Sequence, residues 1–512
     1  MQWRFRRRAS LWQTGVYLQG PPTGASWWLG ARRRARLDCR LVHSGLAGIG
    51  SLSVANSSAN GRSRKDKEAE PSRFPDIAVD ETIQAKRTRT THAVLSFKTV
   101  LNHSQPIAGF VYERVDFMEE GGKARIDVVI RSHGQIPGKC PACRRGCPGY
   151  DRMSARTWRQ VPLWSIPCYY HYGPRRVECQ EHGIVVEHMP WNEGKRPMTL
   201  GMMAFLAMWA RRMSWMETAR SFKVSWESVF RSVEWTVSWG LKHRVLSGVK
   251  ALGIDEIHRG KTGFLTLIYQ IDEGMRRLLW IGPQRTEATL KAGLDELGSA
   301  VVSGVEFVCS DMGRPYLNVI RERVSQALHV LDRFHIASHL SGAVDEVRRG
   351  EVARLNAAGK GGAEKLKKMR WNLLKKRSRV RGKARERLEA ILSSKLATAR
   401  ACMLKESFEH FWTYRSVGHA GRFLDAWCRR AMRSRLKPVK KVARMLRRHE
   451  PLILNWFRAR GEVSSGAVEG LNNKIRVTTR RAYGFRTYRA LEVALYHTLG
   501  KLPEPPLTHR FC

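Results

Sequence analysis

The chain holds 512 residues, with 91 lysines and arginines against 45 aspartates and glutamates, a formal net charge of +46. So large an excess is the electrostatic footprint of a polyanion-binding protein, and DNA fits it best, because counterions are released at each neutralised phosphate. No apolar run reaches the ~18 residues that a spanning helix needs, the most apolar stretch being Leu200 to Ala210, so an ordinary transmembrane helix is excluded. The length suits several compact units. Ten cysteines without a pairing pattern point to a reducing, intracellular setting with a metal site rather than a disulfide framework.

Residues 1–92 are Arg-, Ser- and Gly-rich and lack a sustained hydrophobic period. They are expected to have no fold or to be translated from upstream of the true start, since organised sequence begins near Val94. From 93 to 192 the chain is β-prone, with IDVVI (126–130), PLWSIPCYYHY (162–172) and IVVEHMPW (184–191) as strand segments. Cys140-x2-Cys143 and Cys179-x2-His182 form a donor set that can close a tetrahedral zinc site, with Cys147 as an alternative ligand. A bound Zn2+ would fold a small module expected to lack a core of its own. Arg144, Arg145, Arg175 and Arg176 around it suit phosphate contact.

Residues 198–247 are helical in pattern, and WMETARSFKVSWESVFRSVEW (215–235) reads as a helix-turn-helix. Ala219 and Phe222 stand on the first helix, Val224 at the turn, Ser225 at the N-cap, and Val229 and Val233 face inward. Lys223 occupies the turn position where glycine is usual, and an ordinary helical hairpin is the plain alternative. In the DNA-binding reading Trp226, Glu227, Ser228 and Arg231 meet the major groove.

The segment 248–340 alternates. ALGI (251–254) is a strand ending at Asp255; GFLTLIYQI (263–271) and RRLLWIG (276–282) follow as strands around the turn DEGM. TEATLKAGLDELG (286–298) is a helix, VEFVCS (305–310) a strand ending at Asp311, PYLNVIRERVSQA (315–327) a helix and LHVL (328–331) a fifth strand. The order β-β-β-α-β-α-β suits a mixed sheet whose first and fourth strands lie parallel, joined by a crossover. Asp255 and Asp311 then meet at its carboxyl edge, where such a pair normally holds a cation unless each merely ends a strand. Residues 341–455 are helical and basic, either a solvated bundle or a surface for DNA backbone.

Residues 456–500 contain SSGAVEGLNNKIRVTTRRAYGFR (464–486), and 501–512 form a Pro-rich tail. As a helix, this stretch puts Val468, Leu471 and Ile475 on one stripe. Glu469, Asn473, Arg476 and Arg480 form another about 140° away, at ~100° per residue. A helix-terminal acid beside the N-terminal dipole is the plain role for Glu469. GKT (260–262) is no phosphate-binding loop, since Asp255 stands where the first glycine is required.

GIDEI (253–257), CSDMGRPYLNVIRER (309–323), VLDRFHI (330–336) and SSGAVEGLNNKIRVTTRRAYGFR (464–486), with RTWRQVPLW, VEHMPW and LYHTLGKLPEP, together resemble the ISL-three family of insertion-sequence transposases. The similarity runs from about residue 95 to the C-terminus; Gly313, where the family often has Trp, departs from it and is expected to touch local packing only. The resemblance implies a multidomain α+β and α/β protein. It has an N-terminal zinc-finger-like module, a helix-turn-helix module, and an RNase H-like catalytic core, a mixed sheet with helices, interrupted by a helical insertion.

It implies Asp255, Asp311 and Glu469 as a catalytic triad binding Mg2+ or Mn2+, ions that suit oxygen ligands. Asp332 competes as third ligand but matches the family less well. Glu256 should face away from Asp255, and His335 and His339, at i, i+4 spacing, lack an evident third zinc ligand. Asn473, Arg476, Arg480 and Arg481 become a grip on the strand being cut. The implied activity is cleavage at terminal inverted repeats and strand transfer into target DNA, by a homo-oligomer on double-stranded DNA in the bacterial cytoplasm, associated with the nucleoid. No membrane and no nucleotide cofactor are implied. The alternative is a DNA-binding regulator, or a domesticated transposase without cleavage activity.

Overall fold

The computed structural model describes residues 96–260, 263–359, 361–459 and 466–506. The expectation for residues 1–92 lies outside them. Among the described residues, no helix is long and apolar enough to cross a membrane.

The chain enters through α1 (Phe97–Ser104) and forms nine strands: β1 (Phe110–Glu120), β2 (Lys123–Ser132), β3 (Gly138–Lys139), β4 (Gly146–Cys147), β5 (Gly149–Arg152), β6 (Arg156–Leu163), β7 (Ile166–Tyr172), β8 (Arg175–Cys179) and β9 (Gly183–Val186). One sheet runs β1-β2-β7-β6, a second β5-β8-β9, and β3 pairs with β4 alone. The expected strand 162–172 is divided between two. Trp164 and Ser165, at φ 47° and 68°, turn the chain so that β6 and β7 pair antiparallel. The strand expected over 184–191 stops at Val186, and the chain then turns into α2.

The four-stranded sheet has a core of its own, built on Tyr112, Val128, Trp158 and Tyr170, with Trp191 set edge-on to Phe110 and Tyr172. The expectation of a module without a core is therefore corrected for this half. It holds for the two smaller sheets, whose buried apolar cluster is only Cys140, Cys147, Val177 and Cys179.

Three helices follow: α2 (Leu200–Arg212), α3 (Trp215–Ser221) and α4 (Trp226–His243). Thr199, Ser214 and Ser225 cap their N-termini, Ser214 through a reciprocal capping box with Glu217. Lys223 adopts φ 50° between α3 and α4, the left-handed conformation for which glycine is usual. Val229 and Val233 are wholly buried.

The central sheet is built from β10 (Ala251–Arg259), β11 (Gly263–Asp272) and β12 (Met275–Pro283), then α5 (Glu287–Leu297), α6 (Ser299–Ser303), β13 (Phe307–Ser310), α7 (Arg314–Arg323) and β14 (Leu328–Leu331). Its order is β12-β11-β10-β13-β14, with β10, β13 and β14 parallel and the first two hairpins antiparallel, as the element order predicts. One face carries Leu252, Ile254, Ile268 and Val308 against Leu290 and Leu294 of α5 and Tyr316 and Val319 of α7.

A helical body then runs α8 (Arg333–Ala357), α9 (Ala363–Lys368), α10 (Arg370–Leu374), α11 (Lys383–Leu392), α12 (Ala397–Glu409), α13 (Val417–Arg433), α14 (Lys437–Arg448) and α15 (Glu450–Arg458) around Phe408, Phe411, Leu424 and Trp427. The expected boundaries at 340 and 455 both fall inside helices, α8 and α15. Asn455 of α15 donates to the backbone oxygen of His329 (2.8 Å), so the insertion covers the sheet's β14 edge. Finally α16 (Gly466–Arg481) and α17 (Tyr488–Leu499) lie on the sheet's other face, over Ala251, Leu265, Leu267 and Tyr269.

Candidate active site and candidate metal centre

The last parallel pair between β10 and β13 is Gly253 opposite Cys309, so Asp255 and Asp311 each stand two residues beyond it, at the carboxyl edge. Asp255 does not end its strand, as the sequence suggested: β10 runs on to Arg259 because its hairpin with β11 continues after β13 has stopped. Asp255 is buried, and its Oδ1 accepts from the backbone N–H of Glu256 (2.8 Å). Burial is the first cause that pushes its carboxyl up, with Asp311 adding to it, while the Glu256 amide, His335 and Asn472 pull the other way.

Asp311 accepts from the Gly313 N–H at Oδ1 (2.9 Å) and meets Arg285 Nη2 at Oδ2 (3.4 Å). A Cβ at position 313 would come within 2.9 Å of both Arg285 and Asp311. The departure at Gly313 therefore touches this carboxylate, not packing alone. Glu256 points to the opposite face from Asp255, as strand alternation requires. There Arg285 Nε lies 2.5 Å from its Oε2, an ion pair without hydrogen-bond geometry. Burial first and Asp311 second push Glu256 up to about 7, against the pull of Arg285.

Asp332 caps α8, its Oδ1 accepting from the Phe334 N–H (2.7 Å), and its Oδ2 lies 3.3 Å from His335 Nδ1. The Asp332 contact, with Asp255 and Asp311 adding, pushes His335 up to about 9, so the ring brings a positive charge to the carboxylate edge. His339 is pushed down by burial and by His335.

Glu469 is exposed in the first turn of α16. Val468, Leu471 and Ile475 are buried on the sheet, as the stripe predicts, while Asn473, Arg476 and Arg480 are exposed. α16 comes so close to β10 that a Cβ on Gly253 would lie 2.6 Å from Val468 Cγ2. Asn472, buried three residues after Glu469, donates Nδ2 to Asp255 Oδ2 (2.5 Å) and accepts from the Tyr269 hydroxyl at Oδ1 (2.7 Å). Nothing in the local sequence around Tyr269 or Arg285 marks them as partners of these carboxylates. For Asn472 a signal existed, a polar residue among Val468, Leu471 and Ile475 on the apolar side.

The three carboxylates do not converge to ligand distance. Among the described residues, the one group of three or more His, Cys and carboxylate donors drawn within 4.8 Å of one another is Cys140, Cys143, Cys179 and His182. Two matching turns build it. Cys140 and Cys143 lie between β3 and β4 and are followed by Arg144 at φ 63°; Cys179 ends β8 and His182 lies in the turn to β9, followed by Gly183 at φ 65°. Cys143 and Cys179 sulfurs are 3.7 Å apart, and His182 Nδ1 lies 3.5 Å from Cys179 Sγ and 3.8 Å from Cys140 Sγ. A tetrahedral zinc with ~2.3 Å bonds to sulfur has edges of about 3.8 Å, so the donor set fits that ion. The His182 contact pulls the Cys179 thiol down to about 6. Cys147 sits beside the group with its Sγ on the Arg145 carbonyl (3.4 Å). All eight described cysteines are free thiols.

The candidate DNA contacts differ in how free they are. Arg231 is exposed and paired with Glu227 and Glu234. Trp226 stacks on Phe230, and Ser228 Oγ lies 2.9 Å from Ser225 Oγ. Arg476 Nη1 donates to Asn473 Oδ1 (2.9 Å). Arg481 is half-buried and donates to the carbonyls of Arg211 (2.8 Å) and Arg212 (3.3 Å), closing the C-terminus of α2. Arg175 is held by the buried Glu187 at 2.8 Å, to which it supplies the counter-charge. Arg145 pairs with Glu181 and Arg176 with Asp151.

A family model described as Transposase, built for the ISL-three type, matches residues 252–495. The transposase for insertion sequence element IS1557 of Mycobacterium tuberculosis is 28% identical over 427 residues, covering 78% of this chain and 95% of that protein. The transposase for insertion sequence element IS1001 of Bordetella parapertussis is 25% identical over 382 residues, 74% of this chain and 92% of its own.

Proposed function

From the family-model match over residues 252–495 and the similarity to two insertion-sequence transposases, we propose that the chain is an ISL-three type transposase that binds the terminal inverted repeats of an insertion sequence, cuts the DNA at their ends and joins them to new DNA. The single observation that carries this reading is the placing of Asp255 and Asp311 two residues beyond the last pair of two adjacent parallel strands, with Glu469 in the turn of α16 that precedes Asn472, the residue bonded to Asp255. The sheet order, first hairpins antiparallel and later strands parallel, supports the reading of an RNase H-like core.

The donor chemistry fits a divalent oxygen-preferring cation: two neighbouring carboxylates, one of them buried and pushed up, gain most from a positive charge between them. Asp255, Asp311 and Glu469 would hold Mg2+ or Mn2+, which when bound supplies charge neutralisation for in-line displacement at phosphorus. Asp255 is oriented by the Glu256 amide and Asn472, and Asp311 by the Gly313 amide and Arg285. In the first reaction water attacks the phosphodiester, the bond from phosphorus to the 3′-oxygen breaks, and that oxygen leaves as a 3′-hydroxyl. In the second, this hydroxyl attacks a target phosphodiester and displaces its 3′-oxygen. Neither needs a covalent enzyme intermediate or a nucleoside triphosphate.

End recognition is assigned to α3 and α4 as a helix-turn-helix, with Arg231 and Glu227 exposed on α4. The Cys3His site would carry Zn2+, and the exposed basic faces of α8 to α15 and of α16 would hold backbone phosphates. Pairing two ends calls for an oligomer. The test is to incubate the protein with labelled DNA carrying its flanking repeats, with and without Mg2+. Asp255→Ala, Asp311→Ala and Glu469→Ala should each abolish nicking and joining while end binding persists; any one of them cutting at the unsubstituted rate overturns the assignment.

A further inference from the structure

We propose that Asn472, locked by Tyr269, is a positioning residue that registers α16, and with it Glu469, against Asp255; this rests on the reading of Asp255 and Glu469 as metal ligands. Asn472 is 6% exposed and Tyr269 wholly buried, and the three polar groups join β10, β11 and α16 across more than two hundred residues of chain. Each partner dictates the orientation of the amide. An ionised carboxylate only accepts, so the NH2 of Asn472 must face Asp255, and its oxygen is left for the single proton of the Tyr269 hydroxyl. With both ends satisfied, a buried amide here costs little and specifies one arrangement.

The rest of the α16 interface does less: Arg481 ties only the last residue of the helix to α2, twelve residues beyond Glu469. Val468, Leu471 and Ile475 make close but non-directional apolar contacts, with no polar group to name one partner on β10. A step of one residue turns a helix by about 100° and moves it about 1.5 Å, enough to take Glu469 away from the edge. The bond from Asn472 to Asp255 forbids that step. It also holds the Asp255 carboxylate in one rotamer, because Oδ1 is already taken by the Glu256 amide.

The test uses the full-length chain. Asn472→Ala and Tyr269→Phe are compared with Asp255→Ala by thermal melting, by end binding in EDTA, by calorimetric Mn2+ titration without DNA, and by the Mg2+ dependence of nicking. Asn472→Ala should keep end binding, weaken Mn2+ and raise the Mg2+ needed for half-maximal nicking by about tenfold or more, as removing an outer-shell partner of a metal ligand does. Excess Mg2+ should recover part of the rate, which it would not do for a fold defect. Tyr269→Phe removes only a hydroxyl, and should shift both metal curves in the same direction by a smaller factor; it decides the matter if Asn472→Ala fails to fold. Unchanged metal curves in these variants, with Asp255→Ala inactive, overturn the inference alone. An active Asp255→Ala overturns the underlying reading instead.

Discussion

Asp255 and Glu256 are neighbours in sequence with separate partners, Asn472 on one face of the sheet and Arg285 on the other, and the period of a strand is the whole reason. A carboxylate with no part in that edge shows how far a single side chain can depend on its surroundings. Glu351 of α8 is buried and accepts from the backbone N–H groups of Ala397 (2.8 Å) and Thr398 (2.7 Å), closing the start of α12, where Leu396 offers no side-chain cap. Burial pushes its carboxyl up, but the bonds from Thr398 and Ala397, with Arg354 beside them, outweigh it and leave it lowered from 4.5. A depressed group contributes stability that is fully present above the unfolded value and lost as pH falls through the folded one. Glu351→Gln should therefore cost about 1.5–3 kcal/mol at neutral pH, the worth of bonds to a charged group. The cost should shrink as acid protonates the native carboxylate, which paired urea melts at neutral and acid pH would read.

Among the elements, the contact of α16 with β10 is the most exacting. Gly253 is needed there not for its φ but for the missing Cβ, which would meet Val468 Cγ2 at 2.6 Å and Ile271 Cγ2 at 3.0 Å. Gly253→Ala should lift α16, at the ~1–3 kcal/mol typical of overpacking, and remove Mg2+-dependent nicking while DNA binding remains. Hydrogen exchange across 466–481 would show the loosening, and Val468→Ala added to it should restore part of the loss. The strands and helices of the central sheet were legible because each keeps one period for several residues: alternation or a continuous apolar run in β10 to β14, and 3.6-residue spacing in α5 and α7. Their limits were less so. β10 extends past Asp255 only because β11 pairs with it, and α8 crosses residue 340 only because Asp332 caps a helix that the insertion then packs around.

For the molecule as a whole, the β-rich part divides into a sheet with an aromatic core and a pair of hairpins held around thiols. The protein should bind about one Zn2+, as a site of four protein donors does. Chelation should unfold residues 138–147 and 175–186 while β1, β2, β6 and β7 keep their protection, which hydrogen exchange with and without chelator would measure. Loss of protection in both sheets at once would show that the metal supports the entire module. A net charge of +46 was plain from composition. Which arginines are already bonded within the protein was not: Arg175 to Glu187 and Arg481 to the end of α2, while Arg480 stays exposed.

The amino-acid order alone established the excess of positive charge, the succession of strands and helices, the two Cys-x2 donor pairs and the blocks shared with the ISL-three transposases, because each is written in neighbouring residues or fixed spacings. Folding decided the rest: that Asn472 meets Asp255 and Tyr269, that Arg285 links Glu256 with Asp311, and that Glu351 caps a distant helix. These partners lie tens to hundreds of residues apart. A side chain's local pattern states whether it is buried, but only the packing of whole elements states which polar group it must satisfy there.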